Sequence, residues 1–362
     1  MRGHKQNQIN VACLINVEAM IPPVHPIRVI KKLLGEVLRQ LDGRFTAMYA
    51  EEGRPSIPPE RLLLAKVLMA LYTIRSERQF CERLQYDLLF RWFLDLNPDE
   101  AVFDHSSFSA NQRRLLAHAV ADEFFAAVVQ LAQTRGWVSD QHFSVDGTLI
   151  EAWASLKSFR PKDDPGGPGD GNGWVDFRGQ ERKNDTHGST TDAEAKLARK
   201  GDGREARLSF AAHAAMENRS GLCVLLEVHP AAGAPEADVA AAQVATLRRR
   251  GFDPRTVGAD RGYGTHKFVR LLRAQKVVPH CAPQGGRRLG VKVRSRAYAL
   301  SQKCRRRIEE IFGWAKTIGG LRKSRYRGVA RTHAAAQYVA AAGNLVRMAK
   351  MALGPPPLPA RA

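Results

Sequence analysis

The first third of the chain places apolar residues at helical spacing, with short polar segments between the apolar runs. Such spacing predicts amphipathic helices whose apolar faces pack into a shared core. The Pro58-Pro59 pair suits a first helical turn, and the segment from Ser76 to Gln79 matches a capping box. The pattern predicts a bundle of five helices, over residues 27–49, 59–72, 76–93, 108–118 and 121–134. Residues 1–25 show little periodicity and are predicted to form a loose arm.

From residue 142 the pattern changes to the two-residue alternation that is typical of strands. Strands are predicted over residues 142–153, 208–216, 222–229, 255–259 and 277–279. Residues 217–221 have the composition of a hairpin turn. Helices are predicted between and after the later strands, over residues 237–250, from Thr265 onward, at 305–316 and at 333–351. Three strands followed by alternating helices and strands predict an α/β fold with a mixed sheet covered by helices.

These patterns divide the chain into two predicted domains. Residues 1–136 form an all-helical N-terminal domain that either binds DNA, as a helix-turn-helix module does, or caps the next domain. Residues 137–350 form the α/β domain, and residues 351–362 form a disordered tail. Within the α/β domain, residues 155–205 are a Gly/Pro-rich insertion. Its basic second half suits a loop that closes over a nucleic acid backbone, or equally a solvated surface loop.

Charge adds a class of partner to this picture. The 362 residues include 56 Lys and Arg against 36 Asp and Glu, which gives a net charge of +20. This excess favours a polyanionic partner, most simply nucleic acid, although general enrichment in arginine accounts for part of it. The five scattered cysteines form no CxxC pair, so a reducing cytoplasm, close to the nucleoid, is predicted. No apolar run reaches the roughly 18 residues of a membrane span, so no membrane partner is expected.

Two aspartates occupy positions that suit a chemical role. Asp146 lies inside an apolar strand, where an unpaired carboxylate is costly. The alternative for Asp146 is an Asp-Gly hairpin turn. Asp260 follows a strand, at the end where α/β sheets gather ligands, and Gly262 and Gly264 permit close approach there. The alternative for Asp260 is a plain turn.

A glutamate near the C-terminus completes the set. Arg305, Glu309 and Lys316 are spaced four and then seven residues apart, which places them on one side of a helix. The neighbouring stripe is apolar and contains Ile308, Ile311, Phe312, Ala315 and Ile318. The alternative is a surface helix with weak (i, i+4) ion pairs. Two aspartates and a glutamate that meet would need cations to neutralise them. Two Mg²⁺ ions roughly 4 Å apart would do so and would activate a water or a 3′-hydroxyl at a phosphodiester.

Three segments that contain these acidic residues resemble the motifs of bacterial insertion-sequence DDE transposases. They are FSVDGTLIEAWAS (residues 143–155), VGADRGYG (257–264) and CRRRIEEIFGWAKTIGGLRKSRYRG (304–328). The N-terminal segments PSIPPERLL (55–63) and SERQFCERLQYDLLFRWFLDL (76–96) are also similar to that family. The resemblance therefore spans most of the chain, and it is strongest to the IS-four/IS-five superfamily, on its IS-five side.

The resemblance implies a ribonuclease H-like catalytic domain. Asp146, Asp260 and Glu309 would be its catalytic residues and metal ligands, and two Mg²⁺ ions, for which Mn²⁺ can substitute, its cofactor. The superfamily places an Arg four residues before the glutamate and a Lys seven after it, and Arg305 and Lys316 match both positions.

Two features of the third motif need separate comment. The superfamily has a tyrosine three residues before the motif's arginine, where this chain has Gln302. Tyr298, one helical turn earlier, is the candidate substitute. Glu310 is the acidic neighbour of Glu309 and falls on the other side of the predicted helix.

The sequence thus predicts a DNA transposase that binds the terminal inverted repeats of its insertion sequence and catalyses Mg²⁺-dependent phosphodiester hydrolysis and strand transfer. Its predicted partners are double-stranded DNA, as transposon ends and target, and a second copy of the chain on that DNA. The predicted DNA-binding residues are Arg305, Lys316, Arg322, Lys323, Arg325 and Arg327. The alternatives are a ribonuclease H-like nuclease without strand transfer and a non-catalytic relic that only binds DNA.

Overall fold

A computed structural model describes residues 16–49, 52, 56–163, 183–201, 203–232, 236–285 and 288–354. The helices of the N-terminal part are α1 (Val17–Met20), α2 (Pro26–Gln40), α3 (Asp42–Thr46), α4 (Pro59–Leu71), α5 (Glu77–Tyr86), α6 (Leu88–Phe93), α7 (His105–Ala117) and α8 (Val120–Thr134). The later helices are α9 (Glu236–Arg249), α10 (His266–Ala274), α11 (Arg296–Arg305), α12 (Ile308–Thr317) and α13 (Val329–Leu353). The strands are β1 (His142–Glu151), β2 (Phe159–Pro161), β3 (His187–Ser189), β4 (Lys196–Ala198), β5 (Arg207–Glu217), β6 (Cys223–Pro230), β7 (Thr256–Gly258) and β8 (Val278–His280).

The N-terminal helices begin where their capping residues predict. The Ser76 side chain accepts a hydrogen bond from the Gln79 amide at 3.3 Å, which satisfies one free donor of the first turn of α5. The prediction of five helices is too low, because two of them are interrupted. The first breaks between α2 and α3, and the third breaks at Asp87, whose carboxylate accepts from the Phe90 amide and caps α6. The predicted loose arm also contains the short helix α1, while residues 1–15 lie outside the described part.

The main sheet combines antiparallel and parallel pairs around β1. On one side β1 pairs antiparallel with β5, and β6 continues the sheet antiparallel to β5. On the other side β7 pairs parallel with β1, and β8 pairs parallel with β7. Helices pack against this sheet, so the predicted α/β class with a mixed sheet is confirmed.

The segment predicted as an insertion over residues 155–205 is partly structured. Strands β2 and β3 form a small antiparallel pair, and β4 joins the main sheet beside β5. The Gly/Pro-rich centre lies outside the described residues. At the C-terminus α13 continues to Leu353, three residues into the predicted tail, and residues 355–362 lie outside the described part.

Helix α13 joins the two halves of the molecule. It packs on β6 and on the N-terminal helices α2, α4 and α8. His333 of α13 contacts Asp122 of α8 through Nε2 at 2.7 Å, and its Nδ1 accepts from the Val228 amide of β6. One continuous hydrophobic core results, with residues from both sides of position 136. The division of the chain into two domains at that position therefore stays a prediction.

Among the described residues no single helix has the length and apolar character to cross a membrane, while α7 and α8 meet those criteria only as a pair bent by 73°.

Candidate active site

Asp146 occupies the middle of β1, and the register of the sheet places Asp260 beside it. Strands β1 and β7 are parallel, with Ser144 opposite Gly258. Two residues beyond this pair are Asp146 on one chain segment and Asp260 on the other. Strand β1 continues through Asp146 without a turn, so the hairpin alternative is wrong. The two aspartates therefore lie on neighbouring chain segments at the end of β7.

The loop after β7 holds the second aspartate in place. Asp260 accepts a hydrogen bond from the Tyr263 amide at 3.3 Å and so caps a short 3-10 turn over Arg261–Tyr263. A Cβ atom on Gly262 would lie 3.1 Å from the Asp260 carboxylate, and one on Gly264 would collide with the carbonyl oxygen of Ala282. The two glycines thus permit the close approach that the sequence predicted.

The helix that carries Glu309 differs from its prediction. The expected helix over residues 305–316 is broken, because α11 ends at Arg305 and α12 begins at Ile308. At the break the Arg307 guanidinium donates to the carbonyl oxygens of three residues of the β5–β6 turn, Asn218, Arg219 and Ser220, at 2.9 to 3.2 Å. These hydrogen bonds attach the start of α12 to the β5–β6 turn and so fix the position of Glu309, two residues further along.

Adjacent glutamates at the start of α12 point to different surroundings. Glu310 pairs with Arg347 of α13 at 2.7 Å. Glu309 is exposed, and its charge acts on the partly buried Asp146. The choice of Glu309 over Glu310 agrees with this placement. The predicted apolar stripe is wrong at one position, because Ile318 is 39 % exposed.

The two predicted cations flank the aspartate on β1. Arg305 Nη1 lies 3.9 Å from Asp146 Oδ2. Lys316 Nζ donates to Thr148 Oγ1 at 2.6 Å, and Thr148 projects from the same face of β1 as Asp146, two residues further along. Arg305 therefore faces Asp146 on the sheet, and the alternative of an Arg305–Glu309 ion pair within one helix is wrong.

Gln302, which departs from the family motif, has a structural task. Its side-chain nitrogen donates to the main-chain oxygens of Ala259 and His280, and its oxygen accepts from Arg305 Nε at 3.3 Å. Gln302 thus anchors α11 on the ends of β7 and β8 and orients Arg305. Tyr298 packs its ring on His280, with ring centroids 5.8 Å apart, and does not occupy the position of Gln302.

Electrostatics at the site favour a bound cation. Burial raises the pKa of Asp146, and the charges of Asp260 and Glu309 raise it further, against the opposing effects of the Gly147 amide and of Arg305. Within the described residues no three His, Cys, Asp or Glu side chains lie close enough together to hold a metal ion as they stand. The oxygen donors and the uncompensated charge fit a divalent ion, and the ligand roles stay predictions.

The structure adds residues that the sequence analysis missed. Glu236, at the first position of α9, lies beside the strand of Asp146, and an acidic residue in the first turn of a helix is too common to indicate this. A cavity of about 410 Å³ between the N-terminal helices and residues 319–339 has one carboxylate, Glu77. We call it the basic cavity, because its lining includes Lys66, Arg75, Arg113, Lys323, Arg325 and Arg331.

The predicted basic segment after α12 divides into two groups. Lys323 forms an ion pair with Glu151 of β1 at 3.0 Å, so its charge is partly neutralised within the chain. Arg322, Arg325 and Arg327 are exposed. These three arginines are therefore free to face a polyanion.

A mixed sheet of this order, with carboxylates on its central strand, on the adjoining parallel strand end and on a following helix, defines a ribonuclease H-like catalytic domain. The family comparison agrees, because the transposase DDE domain model matches residues 138–345. A second model, the transposase domain (DUF772), matches residues 15–114. The chain therefore belongs to the DDE transposases, a family of DNA-cleaving enzymes of insertion sequences that use divalent metal ions.

Comparison with solved structures finds transposases at low identity. The piggyBac transposase synaptic complex with hairpin DNA matches at 10% identity and a TM-score of 0.42, covering 91% of this chain and 76% of that chain. The Mos1 strand transfer complex matches at 12% identity and a TM-score of 0.21, covering 77% and 82%. A search of curated proteins finds no match.

Proposed function

We propose that the chain binds the terminal inverted repeats of its own insertion sequence, cuts the element's ends with Mg²⁺ and joins the freed 3′-hydroxyls to target DNA. The carrying observation is that Asp146 lies on β1 and Asp260 lies two residues past the end of the parallel strand β7, while the charge of Glu309 acts on the Asp146 carboxylate. The motif resemblance further supports a place on the IS-five side of the superfamily.

Asp146, Asp260 and Glu309 would hold two Mg²⁺ ions. Bound there, the ions would supply activation of the attacking oxygen and neutralisation of the oxygen that leaves. In the first step a water oxygen bonds to phosphorus, the bond from phosphorus to the 3′ oxygen breaks, and the 3′ oxygen takes up a proton. In the second step that 3′-hydroxyl attacks a target phosphodiester, so one ester bond replaces another and no external energy source is needed.

The cations around the carboxylates hold the DNA strand in this scheme. Arg305 lies 3.9 Å from Asp146, and Gln302 fixes its guanidinium, so it can donate to an oxygen of the scissile phosphate. Burial lowers the pKa of Lys316, and the nearby charges of Lys200 and Arg322 lower it further. A phosphate beside Lys316 would offset this mutual repulsion, which suits a contact with the flanking backbone.

The basic cavity extends this surface toward the N-terminal helices. Arg113 of α7 and Arg325 of the segment before α13 both line it, and neither forms an ion pair with the described residues. Each is proposed to contact DNA phosphates. On binding DNA, two chains are proposed to assemble as a dimer, because two transposon ends must be brought together.

The test uses DNA that carries the short inverted repeats flanking the gene, incubated with Mg²⁺ and either the parent chain or Asp146→Asn. The proposal expects cleavage at the repeat ends and joined products from the parent alone, with DNA binding retained by the variant. Cleavage without joined products would indicate the nuclease alternative. Binding in EDTA with no cleavage by the parent in Mg²⁺ would indicate the relic.

The DNA surface has its own test. Arg113→Ala and Arg325→Ala should weaken binding and reduce the slope of log K against log salt by about one each. Arg255→Ala is the matched control, since Arg255 is exposed at the far end of β7 and pairs with Asp253. Equal salt slopes for all three variants would rule out a role for the basic cavity.

A further inference from the structure

Glu217 is the last residue of β5, and its side chain is fully buried. Among the described residues, three donate hydrogen bonds to its carboxylate. The Arg219 amide and the Ser139 hydroxyl donate to Oε1 at 2.8 and 2.7 Å, and the Ser220 amide and hydroxyl donate to Oε2 at 2.8 and 2.6 Å. A buried carboxylate without such donors would be very costly. The β5–β6 turn therefore folds around this side chain.

The same hydrogen bonds fix the direction of the carbonyl groups in the turn. In a planar trans peptide unit the N–H and C=O bonds point in opposite directions. The amides of Arg219 and Ser220 face Glu217. The carbonyl oxygens of the same two peptide units, which belong to Asn218 and Arg219, therefore face away from it. These are the two oxygens that accept from Nη1 of Arg307 at 3.2 and 3.1 Å, directly before α12 begins. Glu217 thus orients the acceptors that hold the start of α12.

A second arginine binds the next part of the turn. Arg347 of α13 donates to the Gly221 carbonyl oxygen at 2.6 Å and pairs with Glu310 of α12 at 2.7 Å. Gly221 has a φ of +72°, and a Cβ atom there would stand 2.1 Å from Arg347 Nη1 and 2.7 Å from Arg307 Nη2. Glycine therefore permits both guanidinium groups to reach the turn. Two arginines in this way attach α12 to the β5–β6 turn.

The other side of the turn is attached to the strand of Asp146. The Asn218 amide donates to the His142 carbonyl oxygen at 2.9 Å, and the Ser144 hydroxyl donates to the Asn218 side-chain oxygen at 2.7 Å. His142 and Ser144 belong to β1, and Ser144 lies two residues before Asp146. One turn thus connects the strand that carries Asp146 with the helix that carries Glu309. Its conformation sets how these two carboxylates stand relative to each other.

We propose that Glu217 is a positioning residue, which sets the placement of Glu309 through the carbonyl groups of the β5–β6 turn and Arg307. The proposal rests on the proposed function, since it explains how one carboxylate of that site is placed. Glu217→Gln replaces one accepting oxygen with an NH2 group, which cannot accept from a turn amide. One peptide unit of the turn should then rotate, and Arg307 should lose an acceptor.

Steady-state cleavage of DNA that carries the element's ends measures this role. We expect Glu217→Gln to lower kcat about tenfold or more while KM for DNA changes less than about twofold. Ser139→Ala is the matched control, because it removes a donor to the same carboxylate from outside the turn. Its kcat should stay within about twofold of the parent value. A double variant, Glu217→Gln with Arg307→Ala, should be no slower than Arg307→Ala alone, since both changes break the same connection.

Hydrogen exchange of the α12 amides, followed by mass spectrometry in EDTA without DNA, gives a readout that needs no activity. Peptides from Ile308–Thr317 should exchange about tenfold faster in Glu217→Gln and at the parent rate in Ser139→Ala. If Glu217→Gln does not fold, Ser220→Ala takes its place, because it removes one hydroxyl donor within the turn, as Ser139→Ala does outside it. Both kcat and the exchange rate should then change in Ser220→Ala alone.

The outcomes separate the two proposals. Parent-like kcat and exchange in Glu217→Gln would overturn the positioning role and leave the proposed function intact. Equal losses in Ser139→Ala, or additive losses in the double variant, would reduce the effect to general stability and overturn the positioning role as well. A parent chain that cleaves no DNA would overturn the proposed function. Faster α12 exchange in Glu217→Gln would still support the placement of α12 by Glu217 in that case.

Discussion

Gly264 lies four residues after Asp260, where two backbone segments approach at very short range. A Cβ atom on Gly264 would stand 1.9 Å from the Ala282 carbonyl oxygen and 2.9 Å from the Gln284 amide nitrogen. That amide also donates a hydrogen bond to the Gly264 carbonyl at 3.0 Å. Because Cβ contacts under 3.0 Å essentially do not occur, Gly264→Ala must move the segments apart by at least about 1 Å.

Two contributions make up the free-energy cost of this movement. Overpacking of a tight contact costs about 1–3 kcal/mol, and loss of the hydrogen bond adds about 1 kcal/mol. We expect Gly264→Ala to lower the free energy of unfolding by about 3 kcal/mol. With an unfolding entropy of about 2 cal/mol/K per residue, a chain of 362 residues should lose about 4 °C in Tm. The displaced loop also carries Asp260, so affinity for Mn²⁺ should fall.

Thermal unfolding and Mn²⁺ titration measure the two effects, and Gly262→Ala supplies the control for the loss of stability. A Cβ atom on Gly262 would stand 3.1 Å from Asp260 Oδ1, which is a side-chain atom that can rotate away. Gly262→Ala should therefore change the unfolding free energy by about 0.5 kcal/mol or less. The reasoning fails if the Tm of Gly264→Ala equals that of the parent, or if Gly262→Ala lowers the unfolding free energy as much as Gly264→Ala does.

Three more variants test the fold around the site. Arg307→Ala, which loses three hydrogen bonds to carbonyl oxygens, should cost about 2 kcal/mol in urea unfolding and reduce DNA cleavage more than DNA binding. The exposed neighbour variant Arg306→Ala should do neither. Lys66→Met removes the ion-pair partner of the partly buried Glu77, which keeps its hydrogen bond from Ser109, and should cost about 2 kcal/mol. A second change, Glu77→Met, should restore most of this loss, and an additive loss would contradict the reasoning. Asp146→Asn removes an uncompensated charge and should gain about 1 kcal/mol in EDTA. In excess Mg²⁺ the parent should become the more stable chain, since only the parent is stabilised by binding the ion. If Asp146→Asn stays more stable than the parent in Mg²⁺, the result would argue against the metal site.

Most of the secondary structure was predictable because local patterns are strong here. The alternation over residues 142–153, the hairpin after residue 207 and the cap at Thr265 all appear close to their predicted bounds. The pairing of Asp146 with Asp260 was also predictable in kind, because ligands collect at the ends of parallel strands.

The break at the start of α12 could not be predicted from local sequence. Residues 304–317 suit one continuous helix, and only the hydrogen bonds from Arg307 to a turn formed some 90 positions earlier stabilise the break. Gln302 likewise stands where the family motif has a tyrosine, and the sequence gives no reason for the difference. In the structure its side chain donates to the main chain at the end of β7 and accepts from Arg305, so it orients that arginine. Both tasks depend on partners that are distant in the chain.

The sequence alone determined the main strands and most of the helices, the three candidate acidic positions and the excess of positive charge, because periodicity, turn chemistry and motif spacing are local properties. The tertiary structure decided that Glu236 lies beside Gly147, that the N-terminal helices line a basic cavity with residues 319–339, and that Arg305 faces the sheet. Those facts depend on how α9, α11 and α13 pack on the sheet. Packing brings together side chains whose separation in sequence carries no periodic signal.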